Sequence, residues 1–559
     1  MACTLWSGIV AMVLGASSVW AAQPPANLLA NSGAEDEAVV WQFGDTKEGH
    51  TFEVADGAGR AGGKAFRLSA PAGDTDLVGI SQAVAVPKAH RLALSFWVRT
   101  EGFVGAACAA TCVQIWSAEG EMVGFGTTQG SEPVRRDQGD WSRSQTELVT
   151  TTDAARANVI PFVFGGGTAW FDDITLDDMG PGVPPEPPLK GPAVVLARGA
   201  YDFRATEDSA GFTVTSPIPV ALPGQMPFWL GWSCDPPRAL VSARVVARDD
   251  VNHVLELTLA PLKKGENARV TVEAAALLDK VAYSLEGQDF PNREAVAADV
   301  APWLASTRCV QCDDARVREM ADKGRAEAGS FDAFIRWAAT APQRAKGDHI
   351  MSLDAASALS GPGSCTSNAN LVAALLRAEG IPARILAGYP TWCGPLQTHY
   401  IVEYWTPAGG WTAVESSRGE VPTQPFKQIE VSLVTPDDEN RSFRSETGVG
   451  LMAADGVPYG SLLEGVLPSG VLPVGIVKED AFCDHEAKEL LRFDPEKDAA
   501  VLDELRRKLP HTWSIYLIAP SQGGANVEAD AEYVRALHAH TAEEFLEAIN
   551  RAGSHLPWD

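Results

Sequence analysis

Within residues 361–420 of the 559-residue chain, three side chains have the types and order needed for nucleophilic acyl transfer: Cys365, His399 and Glu415. A thiol becomes a nucleophile by losing its proton, a nearby imidazole takes that proton, and an acid on the far ring nitrogen orients the imidazole. The residues around them suggest where each one sits. Gly361, Pro362 and Gly363 keep the chain out of helix, whereas Leu371, Val372, Leu375, Leu376 and Ala378 form an apolar stripe at helical spacing that stops at Gly380, before Ile381 and Pro382. Cys365 is therefore predicted at a helix N-terminus. Unbonded backbone N–H groups and the positive end of the helix dipole favour a thiolate there, and the same N–H groups are placed to hold the oxyanion of a tetrahedral intermediate.

His399 opens the strand-like run His399-Tyr400-Ile401-Val402-Glu403-Tyr404-Trp405, and Thr406 to Gly410 turns the chain into Trp411-Thr412-Ala413-Val414-Glu415, which reads as a hairpin. With Trp405 opposite Trp411, Glu415 lies opposite Ile401 and diagonal to His399 on the same sheet face. Diagonal neighbours about 7–8 Å apart stay within reach of long side chains, so Glu415 is expected to take the second ring nitrogen of His399, unless a one-residue bulge flips it away. Cys393 is the alternative nucleophile, but it lacks a helix N-terminus.

Gly363-Ser364-Cys365, the run from Asn370 to Arg384, Gly388-Tyr389, His399 and Gly410-Trp411 together resemble the core motif of the transglutaminase-like superfamily. The resemblance spans roughly residues 300–435. It implies a papain-like α+β catalytic domain with Cys365 as nucleophile and His399 as base, and with Arg384 and Tyr389 supporting the sheet and the site wall. The family pattern has Asp where this chain has Glu415. Relatives include cysteine proteases, protein-crosslinking transglutaminases and amidases that strip glycans from asparagine. The resemblance thus implies a thiol hydrolase or acyltransferase acting on amide bonds of a protein or peptide substrate. Hydrolysis is favoured, transamidation is left open, and no cofactor is required for catalysis. The competing expectation is an inert transglutaminase-like scaffold that serves carbohydrate or partner binding.

The rest of the chain sets the context. Forty-five Lys and Arg against 72 Asp and Glu give a net charge of −27, which repels nucleic acid and anionic membrane surfaces and excludes both as partners. No charged side chain precedes Glu35, and the apolar run 5–14 leads into Gly-Ala-Ser-Ser-Val-Trp-Ala-Ala with Val19 and Ala21 at the −3 and −1 positions of a signal-peptidase site. Residues 1–21 therefore read as a signal peptide, and the mature chain as secreted or periplasmic with no membrane span. Cys108/Cys112 and Cys309/Cys312 are spaced for local disulfides. The second pair also matches a redox CxxC but lacks the preceding strand of such a unit, and neither pair has a companion that would complete a zinc site.

Short alternating runs separated by Gly- and Asp-rich turns make residues 22–179 a β-sandwich. Its opening Asn27 to Glu37 and closing Ala169 to Leu176 resemble the first and last strands of jelly-roll carbohydrate-binding modules. That resemblance implies a structural calcium on Glu35, Asp172 and Asp173. It also implies sugar stacking on Trp41, Trp116 and Trp141, with cell-wall or extracellular polysaccharide as partner. Six prolines in residues 180–192 mark a stiff linker. A smaller sandwich, immunoglobulin- or transthyretin-like, follows over 193–290. The catalytic domain spans 291–440. Residues 441–559 are expected to form a small α/β tail, with a helix near 496–508, a strand near 513–519 and a helix near 529–551.

Overall fold

The computed structural model describes residues 27–43, 49–72, 77–103, 108–118, 122–128, 138–184, 191–249, 252–284, 289–291, 296–344, 354–359, 365–391, 399–440, 452–454, 457–459, 476–478, 485–518 and 527–556. The expected signal peptide at 1–21, Cys393, Cys483 and residues 185–190 of the proline-rich linker lie outside the described residues.

Residues 42–181 make two five-stranded antiparallel sheets. Alternation gives each strand one dry face, and Phe66, Leu68, Phe96, Val98 and Phe171 of one sheet meet Val78, Ile80, Val113 and Val159 of the other in a single core. Trp41 is part of that core, 5% exposed, with its Nε1–H donated to the Asn31 carbonyl. Cys108 and Cys112 lie on one strand, Cys108–Ser117. Four residues of strand span about 13 Å, twice what a disulfide bridges, so the expected local bridge is not formed. Cys112 is a free thiol that burial pushes up to about 12. The second expected bridge is also not formed: Cys309 is a free buried thiol, and Cys312 Sγ is directed at the Leu304 carbonyl.

A second two-sheet unit begins at Ala193. Its larger sheet pairs Gln225–Asp235, Asn267–Leu278 and Ala193–Ala205, and the free edge of Ala193–Ala205 is completed by Ile476–Lys478 and His485–Arg492 from the far end of the chain. The smaller sheet holds Phe212–Pro217, His253–Leu259 and Leu240–Ala247. The C-terminal region is therefore not a separate tail. Its strands extend this sheet, and its helices Ala499–Ile518, Val527–Ala536 and Ala542–His555 pack on it through Leu505, Leu509, Tyr533 and Phe545 against Phe228, Trp229 and Leu277. The strand expected near 513–519 is instead the last part of a helix. Leu502, Leu505, Leu509 and Trp513 are all buried, and this helical spacing carries the helix past the β-prone residues that follow.

The third unit places three helices on one face of a four-stranded antiparallel sheet ordered Gly410–Val414, His399–Thr406, Ala383–Pro390 and Gln428–Val434. The Cys365–Ala378 helix is buried on nearly every side. Leu371, Val372 and Leu375 pack with Tyr400, Val402 and Tyr404 of the sheet and with Val317, Phe334 and Ile335 of the helices Ala315–Ala328 and Phe331–Ala339. The helix stops where the sequence predicts. Gly380 adopts φ +77°, its N–H bonds to the Arg377 carbonyl, and the Ile381 N–H bonds to that of Leu376, the pairing that ends a helix on a left-handed glycine. Among the described residues no helix is long and apolar enough to cross a membrane.

One ion pair pins this helix. Arg377 and Glu439 are 0% and 1% exposed and are joined by two hydrogen bonds of 2.7 Å; the guanidinium also donates to the Ala305 and Ala383 carbonyls, and the Thr307 hydroxyl donates to Glu439 Oε2. Removing one partner strands a buried charge at a cost of about 3–5 kcal/mol. Glu439→Gln is thus expected to lower the unfolding temperature by roughly 10 °C. The double variant Arg377→Met/Glu439→Leu should lose much less, and thermal unfolding followed by circular dichroism compares the two.

Candidate active site

The hairpin register sets the site. Trp405 pairs with Trp411 and Val402 with Val414, as the two tryptophans predict, so Glu415 follows directly on the last paired residue and reaches back along the diagonal to His399. His399 Nε2 and Glu415 Oε2 are 2.5 Å apart. Oε1 of the same carboxylate accepts the Ser417 N–H at 2.8 Å, and reciprocal backbone hydrogen bonds between Glu415 and Glu420 hold the loop that carries it. Cys365 is the first residue of its helix and is hydrogen-bonded to His399. Because Nε2 is held by Glu415, the thiol meets Nδ1. Cys365 is half-buried and accessible, whereas the side chains of His399 and Glu415 are 6% and 5% exposed.

Burial by itself would strip the proton from the imidazole. The Glu415 carboxylate and the hydrogen bonds to Cys365 and Glu415 outweigh it and raise His399 to about 10. For Glu415, burial favours the neutral acid, but the His399 charge, the hydrogen bond to it and the Ser417 N–H overcome this and hold the carboxyl below its ordinary range. The arrangement is a thiol beside an imidazolium that is itself held by a carboxylate. The helix N-terminus lies at the sulfur, where backbone N–H groups face any charge that develops.

The stretch from the Ala315 helix to the loop after Glu415 contains all three residues. Residues 315–416 match the transglutaminase-like superfamily. Solved structures similar to the chain include a proposed cysteine protease from Cytophaga hutchinsonii, at 14% identity and TM-score 0.39, covering 55% of this chain and 93% of that one. A family 16 carbohydrate-binding module covers 27% of this chain and 100% of its own, at 20% identity and TM-score 0.21. A xylan-binding domain from Paenibacillus barcinonensis covers 26% and 98%, at 13% identity and TM-score 0.21. No curated protein matches the chain.

The other expected sites are placed as follows. Trp41, in the core, has no face to offer a sugar. Trp116 is half-buried, with the Arg156 guanidinium 5.5 Å from its ring centroid. Trp141 is half-buried on the outer face of its sheet, beside Arg99. Glu35, Asp172 and Asp173 gather around Gly33, but their oxygens accept the backbone N–H groups of Lys64 and Arg60 and the Arg60 guanidinium. Among the described residues no group of three or more His, Cys, Asp or Glu side chains is arranged to hold a metal ion.

Two residues beside the site, Glu403 and Glu430, are not singled out by the sequence. Arg384 pairs with Glu403 at 2.6 Å and lies 4.0 Å from the Trp411 ring centroid, which gives the wall residue a specific partner. Glu430 is buried on the neighbouring strand. The only sequence signal for it is an acid inside the apolar run Gln428–Val434.

The raised His399 and lowered Glu415 fix a sign. The stability contributed by His399 is complete below its ordinary value of 6.5 and is lost as pH rises through about 10. That from Glu415 is complete above its ordinary 4.5 and is lost as pH falls through its lowered folded value. The pair therefore stabilises most strongly between about 4.5 and 6.5. Glu415→Gln is expected to flatten the decline in melting temperature above that window and to move the His399 ring titration, read by NMR, down from about 10.

Proposed function

We propose that the protein is an exported thiol enzyme that opens amide bonds through a thioester on Cys365, with water as the favoured acceptor. The observation that carries this reading is the buried imidazole held between a half-exposed thiol and a carboxylate. In the proposed cycle the Cys365 thiolate attacks the amide carbon, and the oxyanion is met by backbone N–H groups at the helix N-terminus. His399 passes its Nδ1 proton to the departing amine as the C–N bond breaks. A water then enters. His399 takes its proton, the hydroxide oxygen displaces sulfur, and the acid leaves with the thiolate–imidazolium pair restored. An amine entering at the same step would give transamidation. Export rests on the leader at 1–21.

A second reading, polysaccharide binding by the N-terminal sandwich, is favoured by a row of side chains on its outer face. Trp170 lies between Arg67 and Arg99 on neighbouring strands, with Arg99 4.5 Å from the Trp170 centroid and 5.6 Å from that of Trp141, and Arg60 lies 4.4 Å from Trp97. Such a row offers ring edges and guanidinium N–H groups to solvent.

Three measurements check these readings. Cys365 is expected to react readily with iodoacetamide, and His399→Ala should slow that reaction at least about tenfold; equal rates in the two forms would remove the thiol-enzyme reading. Incubating the enzyme with a protein substrate and a diamine, then taking peptide masses, separates cleavage and deamidation from amine adducts. Cleavage or deamidation is the expected result, and adducts alone would assign transamidation. For the sandwich, Trp170→Ala should abolish retardation on polysaccharide gels, and a wild-type chain that is not retarded would end that reading.

A further inference from the structure

A second acid lies in the sheet row that carries His399. Gly388 pairs with His399 on one side and with Glu430 on the other, so both side chains share a sheet face with only a glycine between them. A Cβ at Gly388 would lie 2.7 Å from Glu430 Oε2 and 2.6 Å from the Ile429 carbonyl oxygen. The space a side chain would fill there is taken by the Glu430 carboxyl. Glu415 holds His399 from the neighbouring strand on the other side.

The two acids are bonded differently. Glu415 has both oxygens engaged, one on His399 and one on the Ser417 N–H. Glu430 accepts from Gln428 Nε2 at Oε1, while its Oε2 is buried without a hydrogen-bond partner among the described residues. The residue is 5% exposed and lines a cavity with Glu403, Glu415, Tyr283 and Thr423, and Thr423 Oγ1 is likewise buried and unpartnered. Its backbone is clamped by Gln225 of the middle unit, which donates to the Glu430 carbonyl and accepts its N–H, each at 2.7 Å. The groups facing it are His399 and Glu403 on the next strand but one, with Glu403 paired to Arg384, together with Glu415, Tyr283 and Gln428. Burial pushes Glu430 up to about 8; Gln428 and the His399 charge oppose the rise, and Glu403 and Glu415 add to it.

We propose that Glu430 is a positioning residue of the thiol site, whose carboxyl, seated over Gly388, sets the charge felt by His399 from the side away from Glu415. This rests on the thiol-enzyme reading. While Glu430 is neutral, the imidazolium has two counter-anions, Cys365 and Glu415. Once Glu430 releases its proton to solvent, a third is added. Because Glu430 shares the His399 row, it stabilises the imidazolium more than it opposes the thiolate, and the Cys365–His399 ion pair becomes more populated.

The test is the pH dependence of iodoacetamide alkylation at Cys365, followed by peptide mapping in the full-length wild type, Glu430→Gln and His399→Ala. In the wild type a second rise in rate of roughly threefold is expected, centred near the about 8 of Glu430. Glu430→Gln, which keeps the shape and the Gln428 contact but cannot ionise, should lose that rise and keep the acid-side step. A wild-type profile with one step overturns the proposal without recourse to any variant, as does a Glu430→Gln profile that keeps both. If His399→Ala reacts like the wild type, the thiol-enzyme reading falls. If it is slow while the wild type shows one step, only the role of Glu430 falls.

Discussion

Taking an imidazolium and a carboxylate out of water costs several kcal/mol for each ion, and the attraction between them offsets this only when the geometry is tight and the remaining polar atoms are also bonded. The His399–Glu415 contact meets those terms with a 2.5 Å approach, a backbone N–H on the second carboxylate oxygen, and a thiol on the second ring nitrogen. Such a pair tolerates little misplacement, because an ångström at a reacting group costs large factors in rate. The hairpin, the helix that begins at Cys365 and the strands beside them must therefore be held still.

Each is held from outside the four-stranded sheet. The Cys365–Ala378 helix is fixed near its far end by Arg377, whose partner Glu439 lies just past the last strand of the sheet. The edge strand Gln428–Val434 presents backbone groups that would otherwise await another strand. The middle unit covers them with two side-chain amides: Gln225 pairs with both backbone groups of Glu430, and Asn252 does the same for Leu433 at 2.8 Å each. The middle unit is in turn completed by strands and helices from beyond residue 475. The chain thus closes on itself around the thiol site, and excising residues 291–440 would leave the edge strand bare.

What could be read from the sequence was local. The helix N-terminus at Cys365, its glycine stop and the Trp405–Trp411 register each depend on residues within about twenty positions of one another, where periodicity and turn chemistry act directly. Contacts between distant segments left little trace. Nothing in the run Gln428–Val434 announces that Gln225 will meet Glu430, 205 positions away, or that a glycine will separate that acid from His399. The errors share this origin. Trp41 is drawn into the core by packing with Phe66, Cys108 and Cys112 are drawn apart by the strand that contains them, and a β-prone run near 513 stays helical because Trp513 has a buried place on that side of the helix.

The same geometry bears on the acid that departs from the family pattern. Glu415 is one residue beyond the Val402–Val414 pair, while His399 is three residues before Val402, so the carboxylate must cross a diagonal of about 7–8 Å. An aspartate at this backbone position would stop a methylene short. The loop offers no slack to make up the difference, since Glu415 and Glu420 are bonded to each other in both directions. The longer side chain is thus what this backbone requires to reach Nε2, and the substitution preserves the orienting contact. With one oxygen on the imidazole and the other on a backbone N–H, the carboxylate avoids the cost of a buried charge left without partners.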